Sequence, residues 1–329
     1  MTLPPAVAAV RLAVRRCLAD VEDGVVLVAC SGGADSLALL AATVFEARRT
    51  AWHVVGVTVD HGLQDGSAEH AASVVAQMAC LGVDETVSVR VDVSAAGQGP
   101  EAAAREARYA VLAEVAQRTG SGVVLLGHTL DDQAETVLLG LARGSGSRSL
   151  SGMRRGFGPY RRPLLDVTRA QTEAACRDEG IGFWTDPHNQ DPRFTRSRVR
   201  HEVLPVLERE LGPGVAAALA RTADQLREDS AALDDLAGTV LGEVDREGAL
   251  DCQTLAAQPR AVLVRVLRRA ALKAGCPDAE LFRVHVLAMV ELVAGPPGPV
   301  RGKQVRLPGH LTAFRDGDWL RFRRTPVAG

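Results

Sequence analysis

The stretch VVLVACSGGADSLALLAA, residues 25–42, decides the fold of this chain. A valine-rich apolar run, typical of a buried strand, ends at the glycine pair Gly32-Gly33, and a helical pattern follows. Glycines let a backbone approach a phosphate closely, and the first N–H groups of a helix attract negative charge. Asp35 puts a carboxylate at the same point, which makes sense if a divalent cation lies between it and a phosphate. The stretch therefore predicts a strand, an anion-binding turn and a helix.

The turn does not match the common phosphate-binding patterns, because neither GxxxxGK[ST] nor GxGxxG occurs in the chain. The hexad SGGADS, residues 31–36, instead resembles the PP-loop of the ATP pyrophosphatase superfamily. Members of that superfamily cleave ATP between the α- and β-phosphates and adenylate an oxygen. The alternative is an ordinary strand–turn–helix unit with a capping serine.

Strand and helix signals alternate through the first two hundred residues, which is typical of βαβ units and a doubly wound parallel α/β sheet. The predicted strands lie near 24–30, 53–60, 86–93 and 122–127. The predicted helices lie near 5–19, 36–49, 67–80, 101–118 and 131–142. We expect two domains, residues 1–212 with the parallel sheet and 213–329, a smaller and mainly helical domain that ends in short strands.

Composition narrows the class of protein. The chain has 329 residues, a formal net charge of −2 and six cysteines. The cysteines form no CxxC, which argues against a zinc ribbon, an iron–sulfur cluster or a disulfide framework and favours a reducing cytosol. No run of about 18 apolar residues and no signal-peptide pattern is present, so we expect a cytoplasmic protein without a membrane partner.

Chemically informative residues follow the predicted strand ends, where parallel sheets bind ligands. Asp60 and His61 follow the second strand, where an aspartate that forms a turn is the alternative. After the fourth strand, GHTLDDQAE begins a helix on which Asp132 and Glu135 are i, i+3 neighbours, so both carboxylates can converge on one cation. The alternative for this pair is helix capping by acids. Arg108 lies on one face of the helix near 101–118 together with Arg105, where a solvated face is the alternative.

Arginines cluster although the chain is nearly neutral. Residues 143–165 contain six arginines and no acid, and a second group lies within 193–200. Such clustering favours contact with a polyanion over a general affinity for nucleic acid. The alternative is solvated loops whose arginines pair with carboxylates elsewhere. The segment 144–163 is rich in Gly, Ser and Arg with little periodicity, which predicts a long, mobile loop.

These motifs in this order resemble the tRNA(Ile)-lysidine synthetase family. The resemblance rests on SGGADS, VDHGL, EAAAREARYA, GHTLDDQAETVLL, RPLL and DPHNQDPRFTRSRVR, and it covers roughly the first 210 residues. It implies the PP-loop fold, which is like that of the adenine nucleotide α-hydrolases. The implied reaction is lysine transfer to C2 of the wobble cytidine of CAU-anticodon tRNA(Ile). ATP first adenylates the C2 oxygen, and the ε-amine of L-lysine then displaces AMP.

The resemblance also implies roles for individual residues. Catalytic roles fall to Asp35, Asp132 and Glu135, with Mg²⁺ held by Asp35. L-lysine is expected at Asp132 and Glu135, with its carboxylate on Arg108. The implied ATP-binding residues are Ser31, Gly32, Gly33, Ala34, Asp35, Ser36, Asp60 and His61. The expected tRNA contacts are Arg143, Arg148, Arg154, Arg155, Arg196, Arg198 and Arg200.

Two other functions fit the PP-loop hexad. A tRNA thiolase of the same superfamily also adenylates a pyrimidine, but such enzymes typically need paired cysteines for sulfur delivery or a cluster. An ATP-binding module without turnover would need neither the acid pair nor the arginine-rich loop. The oligomeric state cannot be read from the sequence, and a homodimer is a working hypothesis.

Overall fold

The computed structural model describes residues 3–60, 62, 66–91, 100–144, 146–185, 191–295 and 304–325, without the side chains of 100–102, 147 and 148. It divides into two compact units, Met1–Gln225 and Leu226–Gly329. Among the described residues, none of the helices has the length and apolar composition of a membrane-spanning segment.

A six-stranded sheet organises the first unit. Its strands are β1 (Asp23–Ala29), β2 (Ala51–Asp60), β3 (Glu85–Arg90), β4 (Val123–Leu125), β5 (Gly156–Phe157) and β6 (Tyr160–Arg161). The order is β3-β2-β1-β4-β6-β5, and all neighbours are parallel except β5 and β6. The strand order changes direction at β1, which places a topological switch point between β1 and β4, where α/β sheets bind ligands.

The helices of the first unit connect and cover these strands. They are α1 (Pro5–Cys17), α2 (Ala34–Ala47), α3 (Ser67–Leu81), α4 (Pro100–Thr119), α5 (Leu130–Ala142), α6 (Ser147–Leu150), α7 (Arg169–Asp178), α8 (Thr195–Arg198) and α9 (Leu204–Leu211). A 3-10 turn spans Pro163–Asp166, and a π-helical turn, Val199–Val203, joins α8 to α9. A tenth helix, α10 (Val215–Val244), runs across the division between the units.

Successive side chains of β1 point to opposite faces of the sheet, and those of residues 25–29 are all apolar, which explains why helices cover both faces. Val26 and Val28 pack into one core with α1, α2 and α7, whereas Leu27 packs on the opposite face with α4. Successive strand residues point to opposite faces, so an uninterrupted valine and leucine run needs cover on both sides. The predicted doubly wound α/β fold is therefore confirmed.

The second unit combines helices with an antiparallel sheet. Its helices are α11 (Cys252–Ala256), α12 (Arg260–Lys273) and α13 (Arg283–Ala294). Its strands are β7 (Asp245–Arg246), β8 (Ala249–Asp251), β9 (Gln304–Leu307), β10 (Leu311–Asp316) and β11 (Trp319–Arg324), in the order β7-β8-β11-β10-β9. The short strands at the C-terminal end were predicted. The sequence did not reveal β7 and β8, because two or three residues carry no measurable alternation.

The segment 144–163 differs from the long, mobile loop that its composition predicts. Its described residues contain α6 and the β5–β6 hairpin. The Gln133 side chain anchors the segment to α5, since it accepts a hydrogen bond from Met153 N at 2.6 Å and donates one to Met153 O at 3.2 Å. Gly140 on α5 allows a second close contact, because a Cβ there would lie 2.6 Å from Ser149 O.

Candidate active site

The turn after β1 is folded around the Ser36 hydroxyl. Ser36 Oγ accepts a hydrogen bond from Ser31 N at 3.1 Å and donates one to Gly33 O at 2.9 Å. Gly32 has φ +81°, the left-handed region that favours glycine. Gly33 is the N-cap of α2 and has no side chain to cap it, so among the described residues no side-chain cap hydrogen bond is made to the first-turn N–H groups. These groups are free to meet a phosphate, as the sequence predicts.

Two residues that were not predicted contact this turn, Trp184 through its backbone N–H and His70 through its ring. Trp184 N donates to Gly32 O at 3.0 Å, and a ring nitrogen of His70 lies 3.0 Å from Ser31 O. The two rings pack with their centroids 4.0 Å apart. A Cβ on Gly32 would come within 2.6 Å of the Val74 side chain, so the α3 side of the turn is also closely packed.

The exit from β4 lies directly against the start of α2. A Cβ on Gly127 would lie 3.2 Å from the backbone of both Asp35 and Ser36, closer than nearly all real contacts of this kind. Glycine at position 127 therefore lets the chain after β4 lie against the chain after β1. As a result His128 and the first turn of α5 stand beside the anion-binding turn.

Asp35 points toward α7. Its Oδ1 accepts a hydrogen bond from the Thr172 hydroxyl, and its Oδ2 lies 3.5 Å from Arg169 Nε. Burial raises the pKa of Asp35 to about 6, although Arg169 and Thr172 act in the opposite direction. The carboxylate is thus held in a place where its charge is costly without a cation.

Asp132 and Glu135 lie in the first turns of α5, buried together as the i, i+3 spacing predicts. Asp132 closes a capping box, because its Oδ2 accepts from Thr129 N at 2.9 Å. Burial alone raises the pKa of Asp132, but Arg169, the Thr129 N–H and Arg200 outweigh it and hold the pKa below its ordinary value. Glu135 is 0% exposed. Helix capping therefore describes Oδ2 of Asp132, whereas Oδ1 accepts hydrogen bonds from Arg169 and Arg200.

Three arginines surround the acid pair. Arg200 donates to Glu135 Oε1 at 2.6 Å, to Glu135 Oε2 at 3.0 Å and to Asp132 Oδ1 at 2.9 Å. Arg169 donates to Asp132 Oδ1 at 2.8 Å, and Arg196 Nε lies 3.6 Å from Glu135 Oε2. Arg196 and Arg200 were predicted as tRNA contacts, and here both guanidinium groups face carboxylates within the protein.

A second cationic group lies next to His128. Arg162, which is buried, donates to His128 Nδ1 at 3.3 Å and to the Tyr109 hydroxyl at 3.2 Å. Burial lowers the pKa of Arg108, and Arg105, Arg162 and nearby Arg196 act in the same direction. Within the described part of the chain, no carboxylate forms an ion pair with Arg108. An unpaired guanidinium among other cations suits the carboxylate of a ligand.

The environment of His128 predicts a pH dependence of stability. Burial lowers its pKa to about 3; Asp132 opposes this shift, whereas Arg162, Arg108 and Arg105 add to it. The unfolded chain, with an ordinary histidine pKa of about 6.5, binds a proton that the folded chain rejects between those values. The part of the folding stability that depends on a neutral His128 is therefore fully present above about pH 6.5 and is lost as the pH falls toward 3. Urea unfolding at pH 7 and pH 5 should show a larger loss for the wild type than for His128→Gln. Equal losses would contradict this account.

The remaining predicted residues lie at several places. Asp60 ends β2 and accepts from Gly62 N at 2.9 Å, whereas His61 lies outside the described residues. Arg143 and Arg154 are exposed. The side chain of Arg148 is not among those described. Arg155 forms ion pairs with Asp166 at 2.6 Å and Asp224 at 2.8 Å, and Arg198 donates to Pro192 O at 2.6 Å. The alternative in which arginines pair with carboxylates thus describes Arg155, whereas the described partners of Arg198 are backbone carbonyls and a hydroxyl group.

Asp35 fits a magnesium ion that is held mainly by substrate. Within the described residues no group of three or more His, Cys, Asp or Glu side chains could hold a metal ion. Mg²⁺ commonly binds through one or two carboxylates together with substrate phosphates. A single carboxylate with a raised pKa, beside an uncapped helix start, matches that pattern.

Arg169 and Thr172, both on α7, were missed by sequence reasoning. A signal was present, because Thr168 and Gln171 form a capping box that marks the start of α7. Arg169 lies in the first turn of α7, where a positive charge interacts unfavourably with the helix dipole. A cation at this position indicates that carboxylates from elsewhere in the chain compensate its charge. Which carboxylates these are could not be read from the sequence.

Comparison with known proteins shows the family of this chain. The sequence profile of the PP-loop domain matches residues 8–207. The tRNA(Ile)-lysidine synthase of Thermobifida fusca is 57% identical, over 88% of this chain and 90% of its own length. The enzyme of the same name from Streptomyces coelicolor is 50% identical, over 97% and 99%. The U34-tRNA thiolase NcsA from Methanococcus maripaludis with its [4Fe-4S] cluster shares the fold alone, with a TM-score of 0.58 and 17% identity over 68% of this chain and 80% of that one. The chain therefore belongs to the tRNA(Ile)-lysidine synthase family and is a ligase that forms a carbon–nitrogen bond.

Proposed function

We propose that this protein joins L-lysine to C2 of the wobble cytidine in CAU-anticodon tRNA(Ile) through an adenylated tRNA intermediate. ATP supplies the adenylyl group, pyrophosphate leaves, and AMP leaves when the amine attacks. One observation carries the proposal: Asp35 of the anion-binding turn and the acid pair Asp132 and Glu135 form a single charged cluster. Groups suited to ATP and groups suited to an amine thus lie side by side at the switch point.

The turn 31–36 would hold the phosphates of ATP. The uncapped N–H groups of α2 offer hydrogen bonds to phosphate oxygens, and the helix dipole favours the charge that develops on the leaving pyrophosphate. Mg²⁺ on Asp35 would neutralise further charge on the same group. The C2 oxygen of cytidine must meet the α-phosphorus in line with that leaving group. For this the base has to leave its stack.

The acid pair would bind the amino groups of lysine. Because the pKa of Asp132 is held low, that carboxylate stays ionised and orients the amine as ammonium, which must lose a proton to solvent before the neutral amine attacks C2 and displaces AMP. Both Glu135 oxygens and Asp132 Oδ1 already accept hydrogen bonds from arginine. A lysine amino group must therefore share or replace one of these guanidinium contacts. Arg108, which has no described acid partner, is the proposed site of the lysine carboxylate.

Exposed arginines would give the tRNA affinity. Arg143 and Arg154 are exposed on the segment next to α5, and phosphate contacts from such residues weaken steeply with salt. Discrimination between tRNAs should come from unstacked anticodon bases rather than from these contacts.

Radiolabelled lysine provides the direct test. The protein is incubated with labelled L-lysine, ATP and either CAU-anticodon tRNA(Ile) or methionine tRNA. We expect label in tRNA(Ile) alone, with one AMP released for each lysine joined. AMP release that does not depend on lysine would favour the thiolase alternative, and ATP binding without AMP release would favour a module without turnover.

A further inference from the structure

Helix α7 holds the carboxylate of Asp35 through both of its oxygens. Thr172 is fully buried, and its hydroxyl contacts Asp35 Oδ1 and also lies 2.8 Å from Arg169 O. Arg169 Nε lies 3.5 Å from Asp35 Oδ2. The Asp35 side chain at the start of α2 is thus fixed by residues far away in the sequence. Thr172 lies 137 positions after Asp35.

Arg169 also reaches the acid pair. Its Nη2 donates to Asp132 Oδ1 at 2.8 Å, and its Nη1 lies 3.6 Å from Glu135 Oε1. Its backbone N–H donates to Asp131 Oδ2 at 2.7 Å, which fixes the start of α7 against α5. One planar guanidinium therefore faces three carboxylates, one from the anion-binding turn and two from α5. Without it these like charges would repel one another across a partly buried site.

We propose that Thr172 and Arg169 are positioning residues of the ligase reaction, which hold Asp35 in the orientation that Mg²⁺–ATP uses and tie it to the acid pair. This inference rests on the proposed function. Thr172 restricts the rotation of the carboxylate, so less ordering is needed when the cation arrives. Arg169 makes the two halves of the site interdependent, because a ligand on either side changes the hydrogen bonds left for the other.

Thr172→Val tests the first part, because valine keeps the branched shape and removes only the hydroxyl. ATP affinity is measured by calorimetry on the protein alone, with Mg²⁺ and with EDTA. We expect Thr172→Val to weaken binding about tenfold with Mg²⁺, the loss of one hydrogen bond to a charged group, and to leave binding in EDTA unchanged. Thr172→Ser should restore the wild-type value. Equal loss in both conditions, or no loss, would overturn the positioning role.

Arg169→Gln tests the second part and covers the case in which Thr172→Val does not fold. We expect weaker Mg²⁺–ATP binding together with a higher KM for lysine, since one side chain serves both halves. The matched control is Arg177→Gln on the same helix, whose side chain is exposed and contacts Glu173 at 3.6 Å. A change in only one of the two parameters, or the same changes in the control, would overturn the proposal.

These measurements separate this inference from the proposed function. If the wild type binds Mg²⁺–ATP but joins no lysine to tRNA, the proposed function fails, while the calorimetric comparison at Thr172 still gives its answer. If lysine is joined and Thr172→Val binds Mg²⁺–ATP like the wild type, only the positioning role fails.

Discussion

Asp35→Ala is expected to lower lysidine formation by on the order of a thousandfold, the usual cost of removing one electrostatic contact to a developing charge. The fold should survive this change. Burial raises the pKa of Asp35 to about 6, so removing the charge relieves a burial cost that offsets the lost contacts with Thr172 and Arg169. Arg169 keeps two other carboxylate partners, Asp132 and Glu135. The measurement is the initial rate of lysine incorporation, with the thermal midpoint recorded for the same samples.

Asp35→Asn isolates the charge from the shape. The amide can still accept the Thr172 hydrogen bond, but it cannot offer a full negative charge to a cation. Glu46→Gln is the matched control, because Glu46 is also a buried acid on α2 and pairs with Arg15 at 2.9 Å, far along the helix from the turn. We expect near-normal rates from the control and a loss close to that of alanine from Asp35→Asn. A normal rate for Asp35→Asn would refute the assignment of Asp35 to the cation.

The first half of the fold could be predicted because its signals are local. The run Val25–Ala29 is apolar without alternation, and the residues after Gly33 have a helical period, so strand, turn and helix are each written in adjacent residues. The hairpin β5–β6 and the strands β7 and β8 could not be predicted in the same way. Their two or three residues form strands only because a partner strand lies beside them.

The site could be predicted only as separate pieces. The i, i+3 spacing of Asp132 and Glu135 is a local fact, and their convergence followed from helix geometry. The arginines that neutralise them are distant in the sequence. Arg169 lies 37 residues from Asp132, and Arg200 lies 65 residues from Glu135. Such pairs depend on how α5, α7 and the π-helical turn pack together, and no spacing rule in one sequence specifies that packing.

The similarity to the thiolase illustrates that the fold alone does not determine the reaction. Both proteins have the same kind of sheet, but at 17% identity the likeness extends to the fold alone. In this chain the residues around the turn are acids and arginines. Chemistry on a shared fold is set by such site residues.

Glu135→Gln is expected to raise the KM for lysine at least tenfold, on the order of one charged hydrogen bond, and to leave Mg²⁺–ATP binding near the wild-type value. Glutamine keeps the size of the side chain but removes the charge that an amine would meet. In the wild type, Arg200 donates hydrogen bonds to both Glu135 oxygens. The glutamine side chain replaces one of these acceptors with an N–H group, which cannot accept a hydrogen bond from Arg200. Stability should therefore fall by about 1–3 kcal/mol, because the partly buried guanidinium of Arg200 loses one of its two carboxylates. Asp132→Asn is a less selective variant, since Asp132 also caps α5.

The comparison with Glu46→Gln separates the two effects of this change. Glu46 and Glu135 are both buried and both accept two hydrogen bonds from one arginine, but Arg15 is 55% exposed and Arg200 only 19%, so Glu46→Gln should lose less stability than Glu135→Gln. Only Glu135 lies at the switch point, and only its variant should bind lysine poorly. If the two variants share the same KM for lysine, the acid pair is a structural ion-pair network and the amine must bind elsewhere. A raised KM in Glu135→Gln alone would instead mean that an amino group competes with Arg200 for the same carboxylate.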